Sequence, residues 1–316
     1  MNKDKIWLIG AGIMARDYAK VLVGLKIDFI VIGRSERNAK EFEKDCNVTP
    51  FIGGLEKFLA TNPTLPKGVI NSTNVSALTA TTKLLLNYGI KDILLEKPGV
   101  QYPDDITELS ALVKRCNANV SIAYNRRFYA AVRKAKEIIV EDGGVTSFNF
   151  EFTEWSHIIE KLRNSASELN NWVLANSTHV IDTAFYLGGK PKDMVCFTNG
   201  SLSWHPSSSI FSGAGKSVND ALFSYCANWE SPGRWAVEIL TKKHRLIFKP
   251  LEKLQIQEIG SVALHFVEDI DYAIDEKYKP GLYLQTQAFI EGNYKSLCSI
   301  YEQEKSMKYY KQISGY

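Results

Sequence analysis

Residues 6–15 read Ile6-Trp-Leu-Ile-Gly10-Ala-Gly12-Ile-Met14-Ala15, a short apolar run that opens directly into two glycines and a small residue. This is the pattern of a buried strand, a tight turn and a helix start. Gly10 lets the chain turn, Gly12 lets a phosphate approach the backbone with no Cβ in the way, and Ala15 is small enough for close helix packing. Backbone N–H groups of the new helix, those of Ile13 and Met14 among them, then face the phosphates with the helix dipole in their favour. Behind the turn, Tyr18, Val21, Leu22 and Leu25 supply an apolar helical face. The segment therefore reads as the opening of a dinucleotide-binding unit.

Beyond this segment, short apolar runs at 29–32, 69–70, 93–95 and 120–123 alternate with helical segments. Strands separated by helices at this spacing mean parallel βαβ units and a doubly wound sheet. From about residue 146 the rhythm changes: Phe148-Asn-Phe-Glu-Phe-Thr-Glu-Trp155 alternates with period two, as do stretches near 193–200, 220–230, 234–248 and 253–259. Such strands, joined through Asn199-Gly200 and Ser231-Pro232-Gly233, predict a mostly antiparallel open sheet with one face buried. One helix is expected over 176–187, stopped by Gly188-Gly189, and a last helix over 282–299 ahead of a polar tail. The predicted fold is α/β, with a Rossmann domain over 1–123 and an α+β substrate-binding and oligomerisation domain over 124–316.

Composition agrees with two globular domains. The chain has 316 residues, 45% hydrophobic and 23% charged, with a net charge of only +3. Its basic residues are dispersed, so neither nucleic acid nor a membrane surface is implied as a partner. No apolar stretch reaches the roughly 20 residues of a membrane span, and no signal peptide is read. Five widely spaced cysteines fit thiols in a reducing cytoplasm. The histidines have no metal-ligand spacing, and no metal is expected.

Two further stretches carry chemistry. About 20 residues past the glycines an NAD site places an acid for the ribose 2′-OH; here the second strand runs into Gly33-Arg34-Ser35-Glu36-Arg37. Arg34, Ser35 and Arg37 are suited to a 2′-phosphate, which favours NADP over NAD. Then Leu94-Leu95-Glu96-Lys97-Pro98 ends an apolar strand with an acid and a base. The carboxyl ends of parallel strands face the ligand crevice, so Glu96 and Lys97 are placed toward the nicotinamide. Desolvation there lowers a lysine's pKa and lets it hold or polarise a substrate oxygen.

Taken with Ser72-Thr73-Asn74, Tyr124-Asn125-Arg126-Arg127-Phe128, Asn176-Ser-Thr-His179-Val-Ile-Asp182 and Lys279-Pro-Gly281-Leu-Tyr283, these motifs span nearly the whole chain. In this combination the sequence resembles the Gfo/Idh/MocA oxidoreductases. The resemblance implies hydride transfer at a sugar or polyol carbon, with Lys97 and His179 at the catalytic positions. It also implies that Ser72, Thr73, Asn74, Glu96, Lys97, Asn125 and Arg126 bind the cofactor, and that Lys97, Tyr124, Arg127, Asn176 and His179 meet the substrate. Imidazole titrates near neutrality and can move the hydroxyl proton in both directions, and Asp182, three residues on, is spaced to orient the ring.

The sequence departs from that family at one point: the usual D-x-G-x-H reads Ala175-Asn-Ser-Thr-His179. Asn176, Ser177 and Glu154 are the candidates to replace the lost carboxylate, and a non-catalytic dinucleotide-binding sensor or regulatory subunit is the rival reading. Tyr186-Leu-Gly-Gly-Lys190 matches Tyr-x-x-x-Lys, but the glycines end the helix between the two side chains. Trp155, Trp172, Trp204, Arg126 and Arg127 are candidates to stack on a sugar ring and pair with an acidic group. His205 is a loop candidate for substrate contact. The predicted substrate is a sugar or sugar derivative, including those of surface-polysaccharide biosynthesis. A homodimer is expected through the open sheet face, with Trp229, Trp235 and Val237 as its apolar residues.

Overall fold

The computed structural model describes residues 5–162 and 164–316. Two compact units divide the chain: residues up to Asn125 together with Ile274–Lys305, and Arg126–Ala273 together with Ser306–Tyr316.

In the first unit, strands β1 (Ile6–Ile9), β2 (Phe29–Gly33), β3 (Phe51–Ile52), β4 (Gly68–Asn71), β5 (Asp92–Leu95) and β6 (Asn119–Ile122) alternate with helices α1 (Ile13–Gly24), α2 (Glu36–Cys46), α3 (Gly54–Leu59), α4 (Val75–Tyr88) and α5 (Asp105–Arg115). The sheet order is β6-β5-β4-β1-β2-β3, all parallel, with the short strand Cys298–Ser299 antiparallel at the β6 edge. The order of the parallel strands reverses beside β1, which makes the carboxyl end of β1 the switch point where such sheets bind ligands. Strand β1 is buried along its whole length. Trp7 fills its far side, edge-on to Phe58 at 4.9 Å.

The second unit contains helix α6 (Ala130–Glu141) and strands β7 (Ser147–Glu151), β8 (Pro191–Asn199), β9 (Ile210–Ser217), β10 (Leu222–Asn228), β11 (Ala236–Leu240), β12 (His244–Phe248), β13 (Gln255–Glu258) and β14 (His265–Phe266). They form one sheet in the order β14-β13-β12-β11-β7-β10-β9-β8, with only β7 and β10 parallel. The α/β class and the mostly antiparallel second sheet agree with the sequence reading. Helix Thr178–Gly188 packs on β7 and β11. Beneath it Phe148 stacks on Phe223 at 5.2 Å and Phe150 on Tyr225 at 5.3 Å, while Phe185 meets Phe150 and Phe223 edge-on. Aromatic pairs in these geometries contribute about 0.5–1.5 kcal/mol beyond area burial.

Four expectations are corrected. The last helix stops at Ile290, after which Gly292 takes a φ of +73° and turns the chain. The expected polar tail is a helix, Ile300–Ser314, that buries Ile300, Met307, Tyr310 and Ile313. Ile274–Lys305 groups with the first unit and not with 124–316, because helix Leu282–Ile290 packs on α1 and Cys298–Ser299 extends the first sheet. Finally, Trp229, Trp235 and Val237 lie on the buried side of the second sheet. Val237 is in register with buried Phe150, and the opposite, exposed face carries Val195 and Phe197.

Candidate active site

A cleft at the switch point is built from three chain turns at the carboxyl ends of β1, β2 and β4. Gly10 sits at a φ of +110°, and a Cβ there would lie 2.9 Å from the Ser72 carbonyl oxygen. Its N–H donates to Ile32 O at 2.9 Å, and Ser72 Oγ donates to Ile9 O at 2.8 Å, so the three turns are tied together. Gly12, the N-cap of α1, is different: a Cβ there would meet nothing within 4 Å. No side chain caps α1 and no acid occupies its first turn. A helix start with uncapped N–H groups and open space over its N-cap fits a pyrophosphate. The Ser72–Asn74 turn is held by Asn71, whose Oδ1 accepts from Thr73 Oγ1 at 2.9 Å and whose Nδ2 donates to Thr82 at 3.1 Å. Sequence reasoning missed Asn71, because it is the last residue of a buried strand and carries no turn signature.

The resulting cleft, about 310 Å³, is lined by Gly10, Gly12, Arg34, Ser35, Ser72, Thr73 and Asn74 as expected, and also by Asn38, Gly54, Leu55, Ala77 and Thr81. No carboxylate occurs among its described lining residues. Ser35 also caps α2, accepting from the Asn38 N–H at 3.4 Å. Ile13 is 70% exposed at the first turn of α1, and Met14 Sδ accepts from Lys279. Arg37 lies outside this lining: it is highly exposed and its Nε donates to Glu41 at 3.3 Å. Glu96 and half-buried Lys97 follow β5 directly. Glu96 is buried and accepts from Tyr18 OH at 2.7 Å; burial pushes its pKa up, against the lowering effect of that bond and of Lys97. Asn125 spends its amide on Pro280 O at 2.8 Å, and Tyr124 is fully buried with its hydroxyl accepting from Gln303. Both therefore have structural duties within the first unit, and Tyr124 has no surface to offer a substrate.

In the second unit His179 stands in the first turn of helix Thr178–Gly188, after a π-helical turn at Val173–Ser177. Glu154, just past β7, bonds the stretch that follows Ala175. Its Oε1 accepts from Asn176 Nδ2 and Ser177 Oγ, both at 2.9 Å, and its Oε2 lies 3.5 Å from Arg234. His179 is nearly buried, with its ring centroid 6.3 Å from that of Trp235. The Arg126 and Arg234 guanidiniums lie 4.8 and 4.5 Å from the Trp235 ring centroid. Burial pulls the Arg126 pKa below the usual arginine value.

Other expectations are redirected. Asp182 does not orient His179: its two oxygens accept from Arg127 Nε at 2.7 Å and Nη2 at 2.6 Å, with Lys190 at 3.7 Å. Arg127 is thereby committed to a buried ion pair, whose disruption leaves an uncompensated charge costing about 3–5 kcal/mol. Trp155 is 46% exposed beside an open cleft of about 630 Å³ that Glu154 also lines, its Nε1 donating to Gly233 O. Trp172 is buried edge-on against Trp204, which itself stacks on Trp229. His205 is fully buried, its Nδ1 2.6 Å from Ser208 O and its Nε2 2.8 Å from Tyr316 OH. These contacts make it a core histidine and not a solvated loop residue.

No family model matches the sequence, and no curated protein is similar to it by sequence search. Solved structures do match. UDP-N-acetylglucosamine 3-dehydrogenase from Acidithiobacillus ferrooxidans superposes with a TM-score of 0.75 at 14% identity, over 99% of this chain and 97% of that one. An oxidoreductase from Desulfitobacterium hafniense, assigned as NADPH-dependent, gives 0.80 at 17%, over 100% and 95%. An inositol dehydrogenase homologue from Azotobacter vinelandii, complexed with NADH and myo-inositol, gives 0.77 at 13%, over 98% and 94%. At these identities the likeness is one of fold.

Proposed function

We propose that this chain is an NADP(H)-dependent oxidoreductase of the Gfo/Idh/MocA type, transferring hydride at a secondary alcohol or ketone carbon of a sugar or sugar derivative. The observation that carries the reading is the cleft at the switch point of the first sheet: a Gly10–Gly12 turn, an uncapped helix start, Arg34 and Ser35 after β2, and no carboxylate among the described lining residues. Gly10, Gly12, Ile13, Met14 and the Ser72–Asn74 turn hold the dinucleotide, and Arg34 with Ser35 receives the 2′-phosphate in place of the acid that an NAD site uses. The bound cofactor supplies the hydride chemistry. Lys97 holds the substrate oxygen and His179 carries its proton. Glu154 is a positioning residue: by bonding Asn176 and Ser177 it fixes the turn from which His179 projects.

Support for the sugar class comes from the shared fold of sugar dehydrogenases, one of them bound to NADH and myo-inositol. A neighbour acting on a nucleotide sugar is consistent with surface-polysaccharide biosynthesis. No helix among the described residues is long and apolar enough to cross a membrane, and the five cysteines are free, which suits a cytoplasmic setting. The exposed face of the second sheet, with Val195 61% and Phe197 67% exposed, supports a homodimer, and light scattering at micromolar concentration checks it.

The enzymatic reading is tested by titrating NADP⁺ and NAD⁺ and then following cofactor reduction across a panel of sugars. Tighter NADP⁺ binding with sugar-dependent reduction is expected. Cofactor binding with no turnover on any sugar favours the rival reading, a dinucleotide-binding sensor, which the alanine at position 175 motivates.

A further inference from the structure

Two guanidiniums, those of Arg126 and Arg234, pack against the Trp235 ring. Asp182, the buried acid on the His179 helix, is neutralised by Arg127. Glu154 pairs with Arg234 at 3.5 Å, and its other oxygen is occupied by Asn176 and Ser177. Arg126 has no ion pair among the described residues; Glu154 and Glu252 act on it only through longer-range charge. Its Nε is buried with no hydrogen-bond acceptor, and so is the Nε1 of Trp235, the ring against which it packs. Two adjacent residues thus each bury an N–H donor that the protein leaves unsatisfied. Such a donor costs about 1–3 kcal/mol, more when charged, unless something else supplies the acceptor.

We infer that the substrate is an anionic carbohydrate, whose carboxylate or phosphate group is held by Arg126 and Arg234 at the Trp235 indole beside His179. A sugar hydroxyl can accept one of these hydrogen bonds but leaves the charge uncompensated. A carboxylate or phosphate satisfies donors and charge together, and guanidinium is the side chain whose planar fork fits both. Calling this ligand the substrate rests on the oxidoreductase reading; the anion site itself does not.

Calorimetric titration of the protein saturated with NADP⁺, so that the cofactor cleft is filled, tests the inference. The probes are D-glucuronate, D-glucose 6-phosphate and neutral D-glucose, and the first two arms separate carboxylate from phosphate recognition. At least one anionic probe is expected to bind about tenfold or more tighter than D-glucose, with affinity falling as salt rises. Arg126→Gln and Arg234→Gln are each expected to abolish that preference, while Arg126→Lys, which keeps the charge, retains part of it. Circular dichroism melting identifies any variant that fails to fold, and Arg234, 43% exposed, is the substitution least able to disturb the core. Equal binding of neutral and anionic probes, absence of binding by both anionic probes, or unchanged preference in both folded glutamine variants overturns the proposal. Failure of the oxidoreductase reading shows separately, as no binding of NADP⁺ or as binding with no turnover on any sugar; the titration, without cofactor in the first case and with it in the second, then still decides the anion site.

Discussion

The cleft at the switch point of the first sheet and the Trp235 cluster are built by opposite means. The cleft is made of backbone: Gly10, Gly12 and the Ser72–Asn74 turn sit at the ends of parallel strands, and what matters at each is how little side chain is present. The cluster is made of side chains from Arg126, Glu154, Asn176, His179, Arg234 and Trp235, contributed by separate segments. A site made of backbone tolerates almost any exposed neighbour but no added methyl group at its turns. A site made of side chains depends on which charge finds which partner, so Arg127 is silenced by Asp182 while Arg126, next to it, is not.

The largest effects should fall on chemistry and not on folding. Lys97→Ala and His179→Ala are each expected to lower kcat by about 10² or more, the scale of a positioned acid–base group, with little change in NADP⁺ affinity. Steady-state kinetics on the identified sugar checks this, and near wild-type turnover in His179→Ala would move the proton to another group.

The two glycines of the turn are expected to fail in different ways. Gly10→Ala forces a left-handed φ and drives a Cβ to within 2.9 Å of the Ser72 carbonyl, so it should cost about 1–3 kcal/mol of stability. Gly12→Ala meets no atom within 4 Å. It should keep its melting temperature, yet lose about tenfold or more in NADP⁺ affinity because its methyl enters phosphate space. A Gly12→Ala protein that binds cofactor normally removes the cleft's assignment.

Arg34→Asp is a smaller change at the rim. It should reverse cofactor preference toward NAD⁺ by about tenfold, the worth of one charge-assisted contact to a phosphate. Parallel titrations read it directly, and equal or tighter NAD⁺ binding in the wild type argues against the NADP preference.

The smallest effect is a pH dependence. Burial lowers the His205 pKa from its ordinary value of 6.5, although the Ser208 carbonyl that accepts from Nδ1 opposes this. The folded state therefore binds this proton less readily than the unfolded chain. The stabilisation is complete above about pH 6.5 and declines as pH falls from there toward the depressed folded value. Melting temperatures between neutral pH and pH 5 should fall more for the wild type than for His205→Gln; parallel curves would falsify this assignment.

What local pattern can encode, the sequence carried by itself. The glycine turn, the alternation of strand and helix, Arg34 and Ser35 after β2, and the period-two strands of the second sheet depend on side-chain size and polarity at fixed short separations, which backbone geometry reads directly. Strand β9 escaped because Gly213 and Gly215 interrupt its apolar alternation, and helix Ile300–Ser314 because its few apolar positions are diluted by lysine and glutamate. Only the tertiary structure decided which face of the second sheet is buried, that Ile274–Lys305 joins the first unit, that Asp182 serves Arg127 and not His179, and that Glu154 bonds Asn176 and Ser177. Each of these depends on distances between residues far apart in the chain. Those distances follow from how the packed elements share one core, and no short stretch of sequence contains them.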